Sequence, residues 1–163
     1  MPTKVDPGKL LEALELAHDY VNRVSADLKP GELDWHTKGC AETIRKQLEH
    51  VTGAERWFAA RLGWDVPEKI KGGHPLDEYA RLLAMYRREL RARRGKIHLK
   101  PFAGKNDTGD HTGWVVMRMC FHALFHAPRV TLLRRQRNPR WKSSVPGARW
   151  GQVCDFITTL VGS

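Results

Sequence analysis

Apolar residues recur at three- and four-residue spacing in four separate stretches, and Pro, Gly and polar runs interrupt the pattern between them. The first stretch follows Pro7-Gly8, runs from Lys9 through Val21 with acidic residues in its first half, and predicts a helix ending near Val24. In the second, Thr43 is placed to cap a helix from Ile44 to about Leu62, which Gly63 stops. There Leu48, Val51, Phe58 and Leu62 point one way, and Gln47, His50, Ala54 and Trp57 form the adjacent stripe, so His50 borders the core. The third predicted helix runs roughly from Leu76 to Arg94, with Tyr79, Leu82, Leu83, Tyr86 and Leu90 inside. The fourth starts near Asp110 or Thr112, reaches about Arg137, and carries a core stripe of Val115, Met119, His122, His126, Val130 and Leu133. Pro128 removes a backbone bond to Leu124 and predicts a bend close to His126. A short helix from about Gln152 to Leu160 is expected in the tail.

No convincing strand ladder is present, and pieces such as Ile97-His98-Leu99 are too short to build a sheet. Four amphipathic helices of about 16–26 residues predict an all-α four-helix bundle. It is expected to be a single domain over residues 1–163, with a core at about 7–137 and a tail at 138–163. The connections between helices are all long, so a simple up-down-up-down order is not forced.

Composition narrows this picture only in places. A chain of 163 residues with 41% hydrophobic content supports one core and not two. No run of about 18 apolar residues suits a membrane span, and the first residues lack the apolar centre of a signal peptide, so a cytoplasmic location is expected. Cys40, Cys120 and Cys154 are odd in number and scattered, which indicates neither a disulfide framework nor a zinc knuckle. The net charge of +10 is uneven: residues 1–80 carry 11 Lys/Arg against 14 Asp/Glu, and residues 81–163 carry 17 against 4. Such a basic half attracts nucleic acid, an acidic partner or an anionic small molecule, without choosing among them.

The candidate chemistry lies in His122-Ala123-Leu124-Phe125-His126. Four residues make about one helical turn, so both imidazoles leave one face and can converge on one metal ion. By itself such a pair is more often two satisfied core histidines. His50 on the second helix faces the same interior and adds a third imidazole. Three neutral imidazoles with a position left open form a catalytic rather than a structural set. Zinc or nickel suits these ligands, and cobalt, manganese and iron stay open on ligand type. Ala123 follows His122, so the H-E-x-x-H protease pattern with its built-in base is absent.

Two segments together resemble the DinB/YfiT-like superfamily of metal-dependent four-helix-bundle proteins. Thr43-Ile44-Arg45-Lys46-Gln47-Leu48-Glu49-His50-Val51 with Glu55-Arg56-Trp57 is similar to the segment bearing that family's first metal histidine. His122-Ala123-Leu124-Phe125-His126 with Leu132-Leu133-Arg134 is similar to its later H-x-x-x-H, and the match covers most of residues 7–137. The chain departs from the family at Glu42, where a tryptophan is common, and at Ala127-Pro128-Arg129-Val130, where a Gly-Gln pair is common. The resemblance implies a metal held by His50, His122 and His126, and a small-molecule substrate. It extends to the thiol-dependent transferase and isomerase chemistry of characterised relatives, with a low-molecular-weight thiol as cosubstrate. Related bundles often pair, so a homodimer is implied as well.

The remaining polar and aromatic residues receive plainer readings. His18 is read as a surface histidine in preference to a group reaching the site, and His36, His74, His98 and His111 are placed in loops without a role. Cys120 leaves its helix away from His122 and is read as core packing. Trp57 is expected to wall the cavity, and Trp114, Trp141 and Trp150 to cover bundle ends. The arginines of the third helix and the run Arg134, Arg135, Arg137, Arg140 and Lys142 are read as solvated surface. At the mouth of a metal pocket they would instead hold a carboxylate or phosphate. The leading expectation is an enzyme acting on a small molecule by thiol-dependent transfer or metal-assisted hydrolysis. Its rivals are a basic helical nucleic-acid-binding module and a metal bundle kept for protein contacts.

Overall fold

The computed structural model describes residues 3–39, 41–99 and 112–142. The expected tail helix at 152–160, Asp110, His111, Trp150, Cys40 and Cys154 lie outside them. In chain order the elements are β1 (Thr3–Val5), α1 (Pro7–Ser25), α2 (Ile44–Arg61), α3 (Pro75–Ala92), β2 (Ile97–Leu99) and α4 (Thr112–Arg137). The architecture is an all-α four-helix arrangement, as the periodicity predicts.

Local chemistry sets the helix ends. The Asp6 carboxylate accepts from the Lys9 amide at 3.0 Å, and Pro7 occupies the first turn of α1. Thr43 Oγ1 accepts from the Lys46 amide at 3.1 Å and caps α2 as predicted. Gly63, at φ +68°, takes the left-handed turn that ends α2, a conformation open to glycine at little cost. His74 caps α3 with Nδ1 accepting from the Leu76 amide at 3.3 Å, and Pro75 follows it.

Around the bundle the helices follow the order α1, α4, α2, α3. The chain therefore crosses the diagonal between α1 and α2, and again between α3 and α4. Those crossings need the long connections seen in the sequence. The predicted inner residues of α3 are all buried, and so is the whole α4 stripe from Val115 to Leu133, which continues through Pro128 as one helix.

Two expectations are corrected. Ile97, His98 and Leu99 do form a strand, pairing antiparallel with Val5, Lys4 and Thr3 in a two-stranded ribbon. The partner lies at the start of the described chain, before all four helices, so no local pattern announces it. Arg134 is no surface residue: it is 1% exposed. Its guanidinium donates to the Val24 carbonyl at 3.0 Å and the Ala26 carbonyl at 2.8 Å, pairs with Asp27 and Glu32, and stacks on Trp141 at 4.2 Å. It thereby satisfies carbonyls left over at the C-terminal end of α1. On α3, Arg87 and Arg88 are exposed, Arg87 pairing with Glu15 of α1 and Arg88 with Asp65 and Glu89.

Candidate metal centre

α2 contributes His50 and α4 contributes His122 and His126. One ligand nitrogen from each lies within 4.8 Å of the others, so the group could hold a metal ion. His50 Nε2 and His122 Nε2 are 3.1 Å apart. The α4 pair is buried, at 7% and 4% exposure, whereas His50 is exposed, so the cluster sits at the edge of the core with one side toward solvent.

The other nitrogens of the α4 pair face the protein. His126 Nδ1 lies 2.8 Å from Gln47 Oε1. Gln47 Nε2 donates to the Glu42 carboxylate, which fixes the amide so that its oxygen faces His126. An amide oxygen only accepts, so His126 carries its proton on Nδ1 and leaves Nε2 bare. His122 Nδ1 lies 3.7 Å from Glu55 Oε1, and both atoms are buried without a hydrogen-bond partner. Leaving such groups unpaired costs about 1–3 kcal/mol each.

Glu55 is fully buried at the middle of the bundle. Tyr86 on α3 donates its hydroxyl to Oε2, and His18 Nε2 on α1 stands 3.7 Å from the same oxygen. His18 Nδ1 is in turn hydrogen-bonded to the Tyr79 hydroxyl. One carboxylate on α2 thus meets side chains from α1, α3 and α4. The reading of His18 as a surface residue is overturned, since it is 0% exposed and part of this network.

Burial governs the protonation of these groups. It lowers His122 to about 4, with help from Arg118, and lowers His126 to about 3, with help from His122, His50 and Arg129. Both rings are therefore neutral near pH 7, the state a metal requires. Burial pushes Glu55 up to about 7 against the opposing pull of His18 and Tyr86, and it holds both tyrosines well above their ordinary range. Cys120, buried and with its thiol also pushed up, is a packing residue as expected.

Aromatic and cationic side chains edge the cluster. Phe125 meets His126 edge-on at 5.3 Å and carries Arg129 over its face at 4.3 Å. Trp57 is 49% exposed and packs against Trp114 and Phe58, the latter touching His122. Trp57 therefore lies at the rim, and Trp114, in the first turn of α4, lies beside it under Arg118. A groove lined by Glu12, Glu15, Asp19, Leu83, Tyr86 and Arg87 runs between α1 and α3 and contains none of the three histidines.

All three histidines expected from the sequence are brought together, and Gln47, Glu55 and His18 are what that reading missed. Their signal was polarity inside a core stripe. Glu55 falls in the series Ile44, Leu48, Val51, Glu55, Phe58, and His18 in the series Leu11, Leu14, His18, Val21, all buried. No family model matches the chain, nor does any curated protein or solved structure.

Proposed function

We propose that the chain is a metal-dependent enzyme of the DinB/YfiT-like kind, using an open three-histidine centre on a small molecule. The reaction is thiol-dependent group transfer or metal-assisted hydrolysis. The observation that carries this reading is the convergence of His50, His122 and His126 at the solvent edge of the core, with the α4 rings neutral. Zinc or nickel is the metal proposed, and when bound it supplies a Lewis acid that lowers the pKa of a thiol or polarises a carbonyl.

The chain's own residues bind and orient the small molecule. Arg118 stands one turn before His122 and Arg129 one turn after His126, and both charges act on the imidazoles. They suit a carboxylate or phosphate, or the charged end of a small thiol. Exposed Trp57 and Phe125 cover its apolar part and keep water from the reacting end. The rival nucleic-acid reading rests on the basic second half, several of whose arginines are already paired with carboxylates. It requires binding to mixed-sequence DNA or RNA that weakens steeply with salt.

The test is elemental analysis of tag-free protein, purified without a nickel column or chelator, beside the His50→Ala variant. Near one metal per chain, lost in the variant, supports the centre. Protein that stays empty after titration with zinc and nickel overturns it.

A further inference from the structure

We infer that Gln47 and Glu55 are the positioning residues of the metal centre, holding the Nδ1 protons of His126 and His122 so that both Nε2 atoms face the space His50 borders. The inference rests on the metal reading and extends it from the ligands to the side chains that aim them.

Gln47 stands three residues before His50 and Glu55 five after it. Gln47 serves the later α4 histidine and Glu55 the earlier one, so the pairings run in opposite order along the two helices. For His126 the hydrogen bond to Gln47 is formed. For His122, Glu55 Oε1 is 3.7 Å from Nδ1, and neither buried atom has another partner. A small ring rotation closes that gap, and because an ionised carboxylate only accepts, the direct contact places the proton on Nδ1. The carboxylate is prepared for this task because its second oxygen is occupied by Tyr86. Oε1 is left for α4.

The contact between His50 and His122 agrees with this assignment. Two imidazole nitrogens 3.1 Å apart need one proton between them. If His122 Nε2 is bare, His50 Nε2 must donate in the metal-free protein. His50 is exposed, so its proton can pass to Nδ1 through solvent when a metal arrives. The two buried rings are fixed in the metal-ready tautomer, and the exposed ring is the one free to change. A buried carboxylate also makes His122 the more basic ligand, whereas the neutral amide leaves His126 the less basic.

Two measurements test the inference. In metal-free protein at pH 8.5, where Glu55 is ionised, two-bond proton–nitrogen correlation spectra should show His122 and His126 protonated on Nδ1. Gln47→Leu should disturb His126 alone. Glu55→Leu, made in a Tyr86→Phe background so that no hydroxyl is orphaned, should disturb His122 and leave His126 unchanged. Zinc affinity should fall about 10- to 100-fold in each relative to its parent, with the helical circular dichroism retained. An Nε2-protonated His122 or His126 in the wild-type protein overturns the inference even if zinc binds. So do folded variants that hold zinc as tightly as their parents. Failure of the wild-type protein to bind zinc or nickel overturns the functional reading instead, and the site-resolved tautomers then decide the positioning roles by themselves.

Discussion

His50 and His122, 72 residues apart in the chain, bring their Nε2 atoms within 3.1 Å of each other. Two neutral rings at that distance gain one shared hydrogen bond, and a cation with open coordination sites gains both lone pairs. Metal should therefore stabilise the fold through this contact. At free zinc 100 times the dissociation constant the gain is about 2.7 kcal/mol. Thermal unfolding with and without zinc should show a rise in Tm for the wild-type protein and little or none for His122→Ala. An equal rise in both would place the zinc elsewhere.

The pH dependence of the metal-free protein follows from the lowered α4 histidines. Unfolded imidazoles take up protons below about 6.5, whereas folded His122 and His126 resist until about 4 and about 3. Between those values the unfolded state binds more protons, so stability falls as pH falls. Glu55 acts in the opposite sense. Its folded pKa of about 7 exceeds the ordinary 4.5, so its contribution is present below 4.5 and is lost as pH rises toward 7. The two effects oppose each other between 4.5 and 6.5, and below 4.5 the histidines act without Glu55. Urea unfolding from pH 6.5 to 3.5 should give a shallower acid loss for His126→Ala than for the wild-type protein. Parallel curves would show that His126 is protonated as readily folded as unfolded.

The helices and the histidine cluster were legible because their signals are periodic. Val115, Met119, His122, His126, Val130 and Leu133 share a face at any register of a straight helix, and the structure buries them all. What the pattern could not yield was partnership across the bundle. Glu55 in a core stripe signals an interior carboxylate, but its contact with His122 depends on α2 lying beside α4, which the connection lengths do not fix. Arg134 misled for a related reason. It sits in a basic run that resembles a solvated face, and the carbonyls that hold it belong to the end of α1, more than 100 residues earlier.

Cys120 provides a check on the core that needs no metal. Its thiol is fully buried and its pKa is pushed up by burial and by Glu55, so the reactive thiolate is suppressed twice over. With Cys40 and Cys154 replaced by serine, the native protein should react with a thiol reagent such as iodoacetamide only at the rate of unfolding. Modification should become fast in denaturant. Prompt labelling under native conditions would mean that α4 is packed otherwise.

Arg134 should be among the costliest side chains to remove, although it lies two turns beyond His126. The Arg134→Ala substitution leaves the Val24 and Ala26 carbonyls without their donor and leaves Glu32, itself 6% exposed, as a buried charge. Breaking a buried pair from one side costs about 3–5 kcal/mol. Adding Glu32→Gln removes the stranded charge, so the double variant should recover part of that loss despite carrying one more substitution. Chemical denaturation of the wild-type protein, the two single variants and the double variant measures the coupling between the two residues. A loss below about 1 kcal/mol for Arg134→Ala would mean that the guanidinium is solvated, as its place in the basic run suggests.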